Sequence, residues 1–228
     1  MNEFIKNELS GWKKWEISWL LIATIGISII TLISSNDIIG LIAAITGIIC
    51  VILAGKGKLS NYIFGIIHII FYAFISFNSK YYGIVMLNIF YYLPMQFYGF
   101  YVWKKNMNPQ TNEVFKKSLS IKNTIILLIA VLTLTTIYSF ILQYLNGTLP
   151  FMDALSTVVA IVAIYIAIKR YAEQWILWII VNIVTVIMWT YAFLNGTGHI
   201  AILIMSIIYL INSTIMYFKW KNESINKI

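Results

Sequence analysis

Eight apolar stretches follow one another along this chain with only short polar breaks: 16–34, 38–54, 60–78, 82–103, 123–144, 151–168, 175–193 and 200–218. A bilayer core about 30 Å thick takes roughly 20 helical residues to cross. Inside it no water is present to satisfy the backbone, so each segment must bond to itself, and a helix is the form that does so. Only 11% of residues are charged and the mean hydropathy is +0.85, whereas a soluble domain carries roughly 25% charge. The pattern predicts an all-α integral membrane protein of eight transmembrane helices. Eight spans use up most of the 228 residues and leave no room for a soluble catalytic domain.

The net charge of +8 could suggest nucleic acid, but its distribution argues otherwise. Counted in alternate gaps, one side of the membrane holds Lys6, Lys13, Lys14, Lys56, Lys58, Lys104, Lys105, Lys116, Lys117, Lys122, Lys169, Arg170, Lys219, Lys221 and Lys227. The other side holds Lys80 alone. Positive charge accumulates on the cytoplasmic side, so the pattern predicts a multi-pass protein with both termini cytoplasmic and no nucleic-acid partner. The first span is followed by ISSND rather than a small-residue cleavage site, and is expected to be retained. Cys50 has no second cysteine to pair with.

Residues 37–103 and 154–220 read as copies of one three-span unit. A shift of 117 sets Phe71–Phe74 and Asn78 against Met188–Tyr191 and Asn195, and Trp103-Lys104 against Trp220-Lys221. The chain therefore divides into an N-terminal cytoplasmic segment with an extra helix (1–36), a first three-helix repeat (37–103), a cytoplasmic loop with a linker helix (104–150), a second repeat (151–220) and a tail (221–228). Because three is odd, the linker helix makes the two repeats parallel, and a binding site is expected between them near the midplane. Asp37 and Asp153 open the first helices of the two repeats and are expected to cap them. The polar, basic stretch Lys104–Asn123, with Pro109, reads as a partly mobile linker.

Two segments carry more polar chemistry than a span needs. In WILWIIVNIVTVIMWTYAF, Trp175, Trp178, Asn182, Thr185 and Trp189 share one helix face. Indole rings offer flat stacking surfaces with N–H donors, and Asn182 both donates and accepts. Trp175 and Trp189 lie at the ends, where a tryptophan also serves as an interfacial anchor. In the fourth segment Asn88, Tyr92, Gln96, Gly99 and Trp103 share a face, and Pro94 should kink the helix and free a carbonyl near Phe90 or Tyr91. Amides within lipid need protein or ligand partners, and bonding between helices is the structural alternative for each. His68 lies mid-span, bonded to a neighbouring helix or serving as a ligand contact or proton relay. Tyr209, Asn212 and Ser213 share a polar region of the last span.

The chain has no GxxxxGK loop, no HExxH and no Cys/His cluster, so it is not expected to be an enzyme or to hold a metal or other cofactor. No Asp, Glu, Lys or Arg lies at a span centre, which argues against ion coupling, since a charge there is costly and persists for function.

WILWIIVN and NIFYYLPMQFYGFYVW, with Trp175, Trp178, Asn182, Asn88, Pro94, Gln96, Gly99 and Trp103, resemble the WxxW and NxxxxxPxQxxGxxxW patterns of the Pnu family of bacterial vitamin transporters, nearest its nicotinamide riboside carriers. The resemblance covers roughly 37–220. It implies a 3+1+3 parallel-repeat core similar to SWEET transporters in a bacterial inner membrane, facilitated diffusion, a homo-oligomer, commonly a trimer, and trapping by a cytosolic riboside kinase. Trp175, Trp178 and Trp189 would stack or gate, Asn182 and Gln96 would pair with the carboxamide or ribose, and Asn88, Tyr92, Thr185 and His68 would complete the pocket. Thiamine or riboflavin as cargo, or a receptor or scaffold without flux, are the rival readings.

Overall fold

The computed structural model describes residues 3–34, 38–78, 82–144, 150–196 and 200–225. Asp37, Lys80 and the Asp153 side chain lie outside them, and with them the expected aspartate caps. The chain is helical almost throughout: α1 (Glu3–Leu9), α2 (Lys14–Ser34), α3 (Ile38–Lys56), α4 (Ser60–Asn78), α5 (Tyr82–Leu87), a π-helix (Asn88–Tyr92), α6 (Leu93–Lys104), α7 (Ile121–Tyr144), α8 (Pro150–Ile168), α9 (Gln174–Leu194) and α10 (Ile200–Ile225). Among the described residues, seven are long and apolar enough to cross a membrane: α2, α3, α4, α7, α8, α9 and α10. The fourth apolar segment is built differently, as α5, the π-helix and α6 in succession.

Pro94 explains that construction. It has no N–H to give the carbonyl one turn earlier, and its ring crowds that turn. The chain widens instead, so the Leu93 N–H reaches back five residues to the Asn88 carbonyl, and α6 starts afresh with Pro94 in its first turn. The distortion expected near Phe90 and Tyr91 is therefore a π turn.

Two compact units divide the described chain. The first comprises Met1–Phe115 with Trp189–Asn212, the second Lys116–Met188 with Ser213–Ile228. In the first, Ala23 and Ile27 of α2, Ala43, Ala44, Ile48 and Ile52 of α3, Ile75 of α4, Trp189, and Ala201, Ile202 and Met205 of α10 form the core. The small residues on α3 let neighbouring helices approach closely, which is what drives helix association where lipid is as apolar as leucine. Trp19 Nε1 donates to Asn212 Oδ1 at 3.2 Å, and Asn212 Nδ2 donates to the Val51 carbonyl at 3.3 Å. In the second unit, Val131 of α7, Val159, Ala163 and Ile166 of α8 and Leu177 of α9 form the core.

The stretch between α6 and α7 carries more structure than a linker. Met107–Asn108 (β1) and Glu113–Val114 (β2) pair antiparallel, and the Val114 N–H donates to the Gly57 carbonyl at 2.9 Å in the turn between α3 and α4. In the second unit Lys117 repeats the device on the turn between α8 and α9. Its N–H donates to the Arg170 carbonyl, and the Ala172 N–H donates back to it, both at 2.8 Å. Gly57 and Arg170 occupy these turns with φ of 86° and 70°, a region glycine enters freely and arginine only where its bonds hold it there.

Charges gather at the helix ends. Lys56, 3% exposed, pairs with Glu16 at 2.7 Å and Glu113 at 2.9 Å and donates to the Gly11 carbonyl. Lys58 donates to the carbonyls of Asn7 (2.7 Å) and Asn112 (3.1 Å). Burial pushes its ammonium below the usual lysine range, with the charge of Glu8 opposing. Glu8 accepts the backbone N–H groups of Leu59 and Ser60 and the Ser60 hydroxyl, closing the start of α4. In the second unit Glu173 accepts from Ser118, the Leu119 N–H and Lys221.

Removing one partner of a buried ion pair leaves a bare charge. Lys56→Met is expected to cost about 3–5 kcal/mol, read by thermal unfolding of detergent-purified protein, and Lys56→Met combined with Glu16→Leu should cost less than Lys56→Met alone.

Candidate functional site

In the first unit, polar and aromatic groups gather along α4. Gly65, His68 and Tyr72 follow one another at i, i+3 and i+7, one face of the helix. Gly65 has no side chain, and a Cβ there would stand 2.6 Å from Gln96 Oε1 and 3.3 Å from Cys50 Sγ. One turn along, a Cβ on Gly47 of α3 would stand 2.7 Å from His68 Nδ1 and would also overlap the Tyr209 hydroxyl. The glycines are the openings through which these polar groups enter the packing.

His68 donates from Nδ1 to the Ala43 carbonyl at 2.8 Å. In the neutral imidazole that leaves Nε2 as an acceptor. Its ring lies nearly parallel to Tyr72, centroids 5.3 Å apart, and meets Tyr209 edgewise at 6.3 Å. Gln96 differs from its neighbours. Its Oε1 is buried with no hydrogen-bond partner among the described residues. Leaving a buried acceptor unpaired costs about 1–3 kcal/mol. Asn88, 2% exposed, starts the π-helix, and Tyr92 ends it with its ring 5.8 Å from Tyr91. The π-helix and α6 both pack on α4.

Gly99 is occupied by the Tyr62 ring, and Tyr62 meets Trp103 edge to face at 5.2 Å. In the second unit Trp175 meets Trp220 edge to face at 5.8 Å. Trp175 is 3% exposed in this contact, and its Nε1–H has no partner among the described residues. Trp189 belongs to the core of the first unit. Trp178 is half-buried beside the second unit's core. Asn182 donates from Nδ2 to Ser213 Oγ at 3.0 Å, and Thr185 bonds back to the Val181 carbonyl at 2.8 Å.

The structure thus brings His68 and Gln96 onto the α4 face, with Asn88 and Tyr92 on the π-helix packed against it. Trp178, Asn182 and Thr185 belong to the second unit. Sequence reading overlooked Gly47, Gly65 and Tyr72. A glycine three residues before a mid-span histidine was the available signal. Among the described residues no group of His, Cys, Asp and Glu could hold a metal ion.

The glycine openings can be checked against a glycine that opens onto nothing. Gly26 has no heavy atom within 4 Å of an added Cβ. Gly26→Ala is expected to leave stability unchanged or raise it by up to ~1 kcal/mol, whereas Gly47→Ala is expected to lower it by about 1–3 kcal/mol, both read by thermal unfolding.

The sequence model of the family described as "Nicotinamide mononucleotide transporter" matches residues 37–222. Nicotinamide riboside transporter PnuC of Neisseria mucosa is 41% identical over 94% of this chain and 84% of its own length. The protein of the same name from Haemophilus influenzae is 34% identical over 93% and 92%. A solved structure, "Crystal structure of the Vitamin B3 transporter PnuC", superposes with a TM-score of 0.89 at 36% identity and covers all of both chains. These relatives are transporters rather than enzymes.

Proposed function

The chain belongs to the nicotinamide mononucleotide transporter family, and from this premise we propose that it imports nicotinamide riboside by facilitated diffusion. The observation that carries the reading is the uncharged, aromatic-flanked acceptor face of α4 and α6: Gln96 Oε1 without a partner, and His68 stacked on Tyr72. Nicotinamide riboside offers a flat pyridinium cation, a carboxamide and ribose hydroxyls. Aromatic faces attract such a cation by roughly 1–2 kcal/mol where water is excluded. The hydroxyls and amide supply donors suited to Gln96 Oε1.

Charge supports the riboside over the mononucleotide of the family's name. The described lysines and arginine lie at helix ends and in loops, where Lys56, Lys116 and Lys221 are already committed to carboxylates. A phosphate drawn to mid-membrane would meet no cation there. The same distribution supports uncoupled transport, with the gradient maintained when a cytosolic kinase phosphorylates the riboside and traps it.

The architecture we propose is eight membrane spans, with Tyr82–Lys104 as the fourth, in the bacterial inner membrane and with both termini cytoplasmic. Its core is a 3+1+3 parallel repeat like that of SWEET transporters, and the protein is a homo-oligomer. Trp103 and Trp220, which the shift of 117 sets against each other, support the repeat, since each is met edgewise by an aromatic ring from the start of another helix in its own unit.

Calorimetric titration of the purified protein with nicotinamide riboside, the mononucleotide, thiamine and riboflavin tests the ligand. The riboside alone should bind, and Gln96→Ala should weaken it about tenfold or more. Binding of thiamine or riboflavin instead would move the substrate, and comparable transport of the mononucleotide would sink the selectivity. In proteoliposomes lacking a kinase and held at zero membrane potential, the riboside should equilibrate without accumulating, whatever the proton or sodium gradient.

A further inference from the structure

The short helix α1 turns its aliphatic side outward. Phe4, Asn7 and Glu8 are half-buried, whereas Ile5 and Leu9, one turn apart, are 47% and 66% exposed with exposed Lys6 beside them. The inward side is fixed to the turn between α3 and α4. The Glu8 carboxylate accepts the Leu59 and Ser60 N–H groups, and the Asn7 carbonyl accepts from Lys58 Nζ at 2.7 Å. A helix packed on a protein in water places its aliphatic residues on the packed side and its charges outside. Here a carboxylate faces in and a leucine faces out.

The chain also keeps α1 at the membrane surface. Gly11, with φ of 72°, turns the chain between α1 and α2, and Trp12 Nε1 donates to the Glu8 carbonyl at 2.9 Å. Lys14 opens α2, an apolar helix long enough to cross, five residues beyond Leu9. The end of α1 therefore lies within roughly 17 Å of the point where α2 starts. Lys13, Lys14 and Trp15 are exposed there. Glu8 is committed to the start of α4 and Glu16 to Lys56, which leaves Glu3 as the exposed carboxylate against three exposed lysines.

We propose that Ile5, Leu9 and Trp15, with Lys6, Lys13 and Lys14, form a docking surface for anionic phospholipid in the leaflet that α2 enters. The aliphatic side chains sit at the headgroup boundary and the ammonium groups meet the lipid phosphates. A zwitterionic surface takes the apolar side chains and offers the lysines no net charge. Because the other face of α1 closes the start of α4, a lipid bound only by the folded protein also holds that turn in place.

The test uses full-length protein in nanodiscs of phosphatidylcholine with rising phosphatidylglycerol, carrying a bimane label on Leu9→Cys in a Cys50→Ser background. Lipids with a nitroxide near the headgroup should quench the label, more strongly as phosphatidylglycerol rises. Replacing Lys6, Lys13 and Lys14 together by Gln should raise the phosphatidylglycerol fraction that gives half the effect at least about fivefold. Salt near ~1 M should raise it in the same direction. No quenching at any composition would overturn the proposal, as would quenching that ignores phosphatidylglycerol. Crosslinking of Leu9→Cys to a second copy of the chain, in place of quenching, would overturn it too. Should Leu9→Cys not fold, thermal unfolding decides. Phosphatidylglycerol should raise the midpoint of the unsubstituted protein, and the triple Gln variant should lose that rise; an absent rise, or one that survives the triple variant, would overturn the proposal.

Discussion

Hydrocarbon offers no hydrogen bonds, and every polar group carried into it must be answered from within the chain or by what the chain carries. The ionised groups are answered at the helix ends, where Lys56 gathers Glu16 and Glu113 and where Glu173 gathers Ser118, Leu119 and Lys221. The uncharged polar groups deeper in are answered between helices, as Asn182 is by Ser213 and Asn212 is by Trp19 and Val51. Gln96 Oε1 and Trp175 Nε1 are among the buried polar atoms that have no partner among the described residues.

Much of this was legible in the sequence because the bilayer leaves so few choices. Length and hydropathy placed seven of the eight expected spans as helices long and apolar enough to cross, and the fourth is built as α5, the π-helix and α6. Pro94 announced a distortion, since a missing N–H must be accommodated somewhere, although its form as a π turn depends on how Asn88 to Leu93 repack. The polar faces were legible too, since a period of 3.6 sorts Trp178 with Asn182 and Asn88 with Gln96. What periodicity could not supply is the partner across the helix. Trp175 and Trp178 share a helix face with Asn182, yet one is locked edge-on against Trp220 and the other is half-buried beside the second unit's core.

The loop between α6 and α7 was harder to read for a related reason. Its composition is that of a solvated linker, with lysines, asparagines and a proline. Its bonds are long-range and run through the backbone, to the Gly57 carbonyl and to Arg170, and backbone bonding leaves little trace in composition. Gly47 and Gly65 were overlooked similarly. A glycine's importance lies in what occupies the space it leaves, and that occupant, Gln96 or Tyr209, comes from a distant part of the chain.

The first unit closes on residues 189–212, so its core mixes the start of the chain with nearly its end. During synthesis Ala23, Ile27, Ala43 and Ile48 enter the membrane long before Ala201, Ile202 and Met205 have left the ribosome. Trp19 must wait 193 residues for the amide that takes its indole N–H. The early helices therefore spend most of translation with their final neighbours missing, and the last helix completes a structure begun by the first. Assembly of this protein is in that sense post-translational for its oldest part, and whatever holds α2 and α3 meanwhile, lipid or an insertion chaperone, must yield to α10 when it arrives.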